Sequence, residues 1–482
     1  PKVVHVCENS DLIYYDKKPK DLSRMDTYIG EVRIKEFIKD KLDNSTKLDI
    51  DWDKYTQVYG FKMTETQSLA LKNLVTYNFS VLAGFSGTGK STSVQGLIAL
   101  MEDNSLSYTL LCPTGKASMR LTEAVHRKSS TIHRKCLRDG EINSDVIIID
   151  ECSMIDLPTF TMLLSCITNP DCRVVMVGDN AQLMPVGVGC LFNDIINSNV
   201  VPTTMLTEIF RYTSNGALYV ATNARKGHPF LNEDNDIVKH KGNVTYVGNN
   251  YKFIQVDDDH IFDTVLEVYK SLISKHIRRD DILCLSAFNV GDVGTYALNN
   301  AIQSELNAPK ANEIVLTRKL KNDTISFRLD DRIINKKNDY KALPLDSFNT
   351  LQSDSMLSSE DVPLTSIFNG QNGIIRDITD KYVVAQFDED MIVIDKYKLS
   401  QVLLSYAISV HSSQGSEADY VINIVSPKHA KMLNRNLLYV ADTRSKKFQI
   451  DIGDVDTYNK ALLIDGNEER NTWLLELLKE GE

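Results

Sequence analysis

Apolar positions in this chain fall in short runs separated by longer stretches of helical periodicity. From Thr64 onward the runs 80–83, 109–112, 146–149 and 173–177 alternate with amphipathic segments. Runs of four or five apolar residues with helical stretches between them predict parallel strands covered on both faces, an α/β domain. A second alternation starts near Asp281 with ILCLSAF, followed by a helical stretch over 294–306. Period-two patterns in TISFRL, NGIIRDI, KYVVAQF and MIVIDKY then predict a small β-barrel inserted over 324–404. Within it, residues 341–367 are polar, acidic and Ser-rich, which predicts a long loop or disordered insertion. The α/β texture resumes near Leu404, runs to about Ile452, and a helix over 472–479 follows. Upstream, Val32, Ile34, Phe37, Ile38 and Leu42 mark residues 31–43 as an amphipathic helix lying on the next domain. The expected plan is an N-terminal extension (1–60), a first α/β domain (61–215), the start of a second (216–323), the insert (324–404), and the rest of the second domain with the final helix (405–482).

Composition narrows the class. With 42% apolar and 25% charged residues over 482 positions, the chain has the profile of a folded protein. No apolar run approaches the ~18 residues of a membrane span. The start, PKVVHVCENSD, lacks both the layout of a secretory signal and an initiator Met, which predicts trimming of the first residues. Eight cysteines include no C-x-x-C pair, so they read as reduced, buried thiols of a cytoplasmic protein rather than zinc ligands.

The strongest chemical signal is Gly84-Phe85-Ser86-Gly87-Thr88-Gly89-Lys90-Ser91-Thr92, a G-x-x-x-x-G-K-[ST] loop. It follows the run SVLA and opens a helical stretch over 91–101, the context that the motif requires. Glycines let backbone N–H groups curl around phosphate oxygens, and the helix N-terminus adds a favourable field. Lys90 would reach the β/γ-phosphates and Ser91 would ligate Mg²⁺. Val146–Ile149 then leads into Asp150 and Glu151, two carboxylates at the carboxyl edge of a buried strand. Asp150 suits the Mg²⁺ shell, and Glu151 suits activation of the attacking water. A third strand leads into Gly178-Asp179-Asn180-Ala181-Gln182, where neutral Gln182 can hydrogen-bond a γ-phosphate. Arg211 and Arg444, each ending an apolar stretch, are candidates to stabilise charge on the transferred phosphoryl group.

Charge enters next. The net charge is −11, yet residues 116–138 hold seven basic side chains (Lys116, Arg120, Arg127, Lys128, Arg134, Lys135, Arg138) against Glu123 alone. A second basic cluster spans 431–447. Local basic tracks on an acidic chain suit a groove for a nucleic-acid backbone.

In order, these motifs resemble the RecD-like, subclass B helicases of superfamily 1, the group that contains the phage Dda helicases. The likeness covers roughly 63–452. TETQ (64–67) resembles the adenine-reading Q motif with Gln67, and CPTGKA (112–117) resembles motif Ia. TIHR (131–134), DECSMID (150–156), VGDNAQLMPVGVG (177–189), LTEIFRY (206–212), AISVHSSQGSEAD (407–419) and NLLYVADTRSKK (436–447) resemble the motifs that follow. VGDVGTYALNNAIQSELN (290–307) and LDDRIINKKNDY (329–340) look RecD-like rather than UvrD-like.

The resemblance implies two RecA-like domains, the second carrying a Src-homology-3-like insert. It implies that Pro113, Thr114, Lys116, Thr131, His133, His411, Ser413 and Gln414 lie along single-stranded DNA. Arg444 would be an arginine finger, and Gly415 and Glu417 would join nucleotide and DNA sensing. Only 135–145 separate TIHR from the strand that leads into DECS, which leaves little room for this group's duplex-splitting hairpin. The implied activity is a Mg²⁺- and ATP-dependent, 5′-to-3′ DNA helicase in replication, recombination or repair. It would act as a monomer on single strands and single-strand/duplex junctions in a bacterial or phage-infected cytoplasm. A replisome or single-strand-binding protein would meet 341–367 or the N-terminal extension. Two other readings stay open: a P-loop ATPase that remodels a protein complex, and a binding module with a vestigial nucleotide site.

Overall fold

The computed structural model describes residues 4–6, 12–15, 18–50, 57–58, 61–208, 215–320, 324–354, 356–467, 470 and 472–480. Two compact units divide the chain, one of residues 1–213 and 466–482, the other of 214–465.

In the first unit, β1 (Val4–Val6), β2 (Leu12–Tyr15) and β3 (Lys18–Arg24) pair antiparallel ahead of helix α1 (Met25–Asp43). A short hairpin of β4 (Gln57–Val58) and β5 (Phe61–Lys62) follows. The main sheet is parallel throughout. Its strands are β6 (Phe79–Gly84), β7 (Tyr108–Cys112), β8 (Ser130–Thr131), β9 (Val146–Ile149), β10 (Arg173–Gly178) and β11 (Thr203–Leu206), in the order β11-β6-β10-β9-β7-β8. Along β9, Ile147 and Ile149 enter one core beside Phe79 and Val174, whereas Val146 and Ile148 enter the other beside Leu82 and Val175. Because both faces are buried, the strands read as uninterrupted apolar runs. Helices α2 (Glu65–Thr76), α3 (Lys90–Asp103) and α4 (Gly115–Val125) cover one face. Helices α5 (Ile132–Asp139), α6 (Leu157–Cys166) and α7 (Leu191–Ser198) cover the other together with α1. The helix expected over 31–43 starts six residues earlier and seats Ile34 and Ile38 in that core.

The second unit opens with α8 (Asn215–Lys226). Its mixed sheet begins as a meander of β12 (Val238–Lys241), β13 (Val244–Val247) and β14 (Tyr251–Gln255). Four parallel strands continue it: β15 (Ile282–Ser286), β25 (Ala407–Ser409), β26 (Ala418–Val425) and β27 (Ser445–Gly453), in the order β14-β27-β26-β15-β25. Helices α9 (Ile261–Ser274), α10 (Thr295–Leu306), α12 (Arg435–Asp442) and α13 (Val455–Leu462) complete this part. After a hairpin of β16 (Leu316–Lys319) and β17 (Thr324–Phe327) comes the insert. Its seven strands are β18 (Arg332–Asn335), β19 (Asp339–Pro344), β20 (Thr365–Ile367), β21 (Asn372–Ile378), β22 (Tyr382–Phe387), β23 (Asp390–Asp395) and β24 (Val402–Leu404). They pair antiparallel in the order β20-β19-β23-β22-β21-β18-β24. The fold class is the expected one: two RecA-like units with a barrel-like insert in the second.

Two expectations need correction. Residues 341–367 are not a structureless loop, because they carry most of β19, helix α11 (Leu345–Ser353) and β20. The polar composition hides sparse anchors. Phe348 packs on Tyr382 at 4.9 Å between ring centroids, Ser347 Oγ donates to the Pro363 carbonyl at 2.7 Å, and Ala342 and Ile367 are buried. The closing helix, α14 (Leu474–Lys479), was expected in the second domain and packs instead in the first unit, against α1 and α7. Leu474 and Leu478 complete the core that holds Ile34 and Ile195, and Trp473 sets its ring edge-on to Tyr28 at 5.5 Å. Of the cysteines, the seven described are free and buried.

Candidate functional site

The loop from β6 to α3 turns through Gly87 (φ 82°) and Gly89 (φ 83°), left-handed positions that a side chain would strain. At Gly84 a Cβ would lie 2.7 Å from Thr88 Oγ1 and 2.9 Å from Leu206 Cβ, so the loop closes only around glycine. Thr88 Oγ1 donates to the Phe85 carbonyl at 2.8 Å. Lys90 Nζ donates to the carbonyls of Gly84 (2.7 Å) and Phe85 (3.1 Å). Ser86 is buried, while Ser91 is exposed and Thr92 half-buried in the first turn of α3. Gln67 closes a capping box on α2 with Thr64 and sets its Nε2 3.5 Å from the Gly89 carbonyl. Its carboxamide therefore joins α2 to the phosphate loop.

Asp150 and Glu151 stand at the carboxyl edge of β9. Desolvation, reinforced by the charge of Glu151 and partly offset by Lys90 and Arg120, pushes the Asp150 carboxyl up to about 6. The Glu151 N–H donates to Asp150 Oδ1 at 2.8 Å. Glu151 itself adopts φ 55°, a left-handed conformation uncommon outside glycine and Asn/Asp. Its Oε2 is buried with no hydrogen-bond partner among the described residues. The next strand end carries Gln182, whose Nε2 lies 3.4 Å from Oδ2 of the fully buried Asp179. At Gly178 a Cβ would meet the Phe192 ring at 2.9 Å and the Cys152 backbone nitrogen at 3.3 Å, so the bare glycine lets β10 lie close to the turn after Glu151.

A hydroxyl (Ser91), a carboxylate (Asp150) and a buried orphan oxygen (Glu151) around a phosphate-type loop suit a nucleotide-borne Mg²⁺. That ion binds through one or two carboxylates plus phosphates rather than in an all-protein cage. Among the described residues no group of three or more His, Cys, Asp or Glu could cage a metal.

The implied DNA contacts divide between the units. In the first, β7 and β8 lie side by side with Cys112 opposite Thr131, and each strand feeds a helix N-terminus. Thr114 caps α4 by accepting from the Ala117 N–H, and Thr131 caps α5 by accepting from the Arg134 N–H. The Thr131 hydroxyl is buried in that cap and supports the α5 N-terminus. Pro113 and Lys116 are half-buried, and His133 is exposed. In the second unit Ser413 is fully buried and its hydroxyl donates to the Val410 carbonyl at 2.7 Å. Gln414 keeps a buried Nε2 without a partner among the described residues. Burial lowers the His411 imidazole below its ordinary value. Gly415 takes φ 69°, and Glu417 pairs with Lys446 at 3.9 Å. Arg444 is buried, with Nε donating to the Val440 carbonyl at 2.8 Å and Nη1 to that of Ser416 at 3.3 Å. Arg211 lies outside the described residues.

The basic track is thinner than its sequence suggests. Arg127 pairs with Glu102 (2.7 Å), and Lys135 and Arg138 both pair with Asp139 (2.8 and 2.6 Å). Residues 135–145 hold the end of α5 and a bridge from Ile142 to Ile167. Sequence reasoning missed Lys336, whose Nζ donates to Ser412 Oγ at 3.0 Å beside His411. Its signal was the Lys-Lys pair directly after Asn335, the last residue of β18.

Residues 62–249 match a family described as an AAA domain, and 404–448 match the UvrD-like helicase C-terminal domain. The ATP-dependent RecD2 DNA helicase of Deinococcus radiodurans is 26% identical over 426 residues, covering 86% of this chain and 52% of that protein. The RecBCD enzyme subunit RecD of Mycolicibacterium smegmatis is 24% identical, covering 79% of this chain and 69% of that one. A crystal structure of Pif1 helicase from Bacteroides in complex with ADP-AlF3 and ssDNA aligns with TM-score 0.46 at 16% identity, over 87% of this chain and 97% of that one. The chain thus spans about half the length of the RecD2 relative. The likeness to the RecD-like group read from the motifs agrees with the RecD2 and RecD relatives.

Proposed function

We propose that the chain is a DNA-dependent ATPase of helicase type, moving 5′ to 3′ on single-stranded DNA and separating strands at junctions. The observation that carries the reading is the Glu151 carboxylate, held in a left-handed backbone with one buried oxygen unpartnered, on the strand next but one to the phosphate loop. A buried acceptor without a donor costs ~1–3 kcal/mol, a cost retained where a substrate supplies the donor.

In this reading Lys90 exchanges its bonds to Gly84 and Phe85 for the β- and γ-phosphates. Ser91 and Asp150 would hold Mg²⁺, which would supply positive charge to offset that of the phosphates. Glu151 accepts the proton of the attacking water, and Gln182 hydrogen-bonds the γ-phosphate. Arg211 and Arg444 are assigned to the charge on the transferred group. DNA is held at the α4 and α5 N-termini, with Pro113, Thr114, Lys116 and His133, and by His411, Gln414 and Lys336 in the second unit. Helix N-termini favour phosphate, so the grip is expected to ignore base sequence.

Polarity rests on the family likeness. Strand displacement on 5′-tailed and 3′-tailed duplexes tests it: unwinding of the 5′-tailed substrate alone is expected, and unwinding of the 3′-tailed substrate alone would reverse the assignment.

A further inference from the structure

The loop after Gln182, with the sequence LMPVGVG, has almost no polar side chains to bind its own backbone carbonyls. Donors arrive instead from nearly three hundred residues later. Asn467 Nδ2 donates to the carbonyls of Asn180 (3.2 Å) and Gln182 (3.3 Å). One guanidinium, that of Arg470, donates to three alternate carbonyls, Pro185, Gly187 and Gly189. A planar fork with five N–H donors can serve several acceptors at once, which an ammonium cannot match geometrically.

The other side of this loop rests on the N-terminus of α6. The Leu157 N–H donates to the Val188 carbonyl at 2.8 Å, and a Cβ at Gly187 would fall 2.0 Å from Asp156 Oδ2. The chain just beyond the donors is anchored as well, since Thr472 Oγ1 donates to Asp194 Oδ2 at 2.7 Å and the Trp473 N–H donates to Glu31 Oε1 at 3.2 Å. Leu474 and Leu478 then enter the core.

From this arrangement we infer that Arg470 and Asn467 are positioning residues for ATP hydrolysis, which fix the Gln182 loop where it meets the γ-phosphate. The inference rests on the functional reading above. Neither residue touches the phosphate; they act through the backbone that carries Gln182. Holding both ends of the loop removes the freedom that would let Gln182 drift, and a displacement of ~1 Å at such a contact costs up to ~100-fold in rate.

Two readouts test this in the full chain. Arg470→Ala should lower kcat for ATP roughly tenfold to hundredfold with saturating oligonucleotide, while KM for ATP stays within about twofold. Asn467→Ala, which removes the hydrogen bonds to the Asn180 and Gln182 carbonyls, should lower kcat in the same direction by less. Millimolar guanidinium should restore part of the kcat of Arg470→Ala, an effect that a general folding defect would not show. Amide hydrogen exchange should quicken over 180–189 and stay unchanged over 84–91. Unchanged kcat in both variants, or unchanged exchange over 180–189, would overturn the inference. If the unsubstituted chain hydrolyses no ATP, the functional reading fails by itself, and the exchange comparison still decides whether the two residues hold the loop.

Discussion

The ammonium of Lys90 lies 2.7 Å from the carbonyl of Gly84, six residues back along the same loop. With a second bond to Phe85, the lysine satisfies the cradle that it is expected to present to phosphate. Phosphate must outbid two carbonyls, and a doubly charged oxygen cluster does so readily because charge-assisted bonds are about twice as strong as neutral ones. Lys90→Ala should therefore weaken binding of a non-hydrolysable ATP analogue by roughly ten- to hundredfold, the equivalent of ~1.5–3 kcal/mol. Fluorescence titration with a labelled nucleotide measures it.

Glu151 separates stability from activity. Replacement by Gln keeps size and removes the base, so hydrolysis should fall by about 100-fold or more while nucleotide affinity is kept. Replacement by Gly relieves both the positive φ and the unpartnered oxygen, so Glu151→Gly should be inactive yet more stable by about 1 kcal/mol. Thermal melts beside phosphate-release assays check both outcomes.

Glu31 predicts a pH effect on folding. Burial, opposed by the Trp473 N–H and reinforced by Asp194, pushes its carboxyl up to about 7 from an ordinary 4.5. The folded state thus binds the proton more tightly than the unfolded chain. Stability from this group is complete below 4.5 and is lost as pH rises through 7. Glu31→Gln should leave stability at pH 5 nearly unchanged and raise it at pH 8 by about 2–3 kcal/mol, because Gln still accepts from Trp473. Denaturant titrations at the two pH values decide it. Asp194, pushed up to about 6 mainly by burial, adds a smaller slope of the same sign.

Binding to single-stranded DNA should weaken steeply with salt, by about 0.7 in log–log slope for each phosphate neutralised. Lys116→Ala should reduce that slope by roughly one contact, and His133→Ala should weaken all oligonucleotides alike. Arg127→Ala should do little, since its guanidinium is engaged by Glu102. Titrations of labelled oligonucleotides of differing sequence at two salt concentrations read all three.

The central strands and the phosphate loop were legible because their physics is local. Val146–Ile149 is apolar on both faces, and the glycines at 84, 87 and 89 stand where a turn or a close approach demands them. What depended on distant partners was not legible. Nothing near Leu474 or Arg470 announces that they return to the first unit, because their partners lie hundreds of residues away. Thr131 and Ser413 have the right residue types for DNA contacts, but whether a hydroxyl faces solvent or caps its own backbone is settled by local geometry that spacing does not encode. In 341–367 the polar surface of α11 masked the few apolar anchors that fold it.

The most direct test is steady-state phosphate release from Mg-ATP, with and without saturating single-stranded oligonucleotide, for the unsubstituted chain and Glu151→Gln side by side. Strong stimulation by the oligonucleotide is expected in the unsubstituted chain and none in Glu151→Gln, with equal nucleotide binding by both. Rates that ignore the oligonucleotide, or that are the same in the two chains, would contradict it.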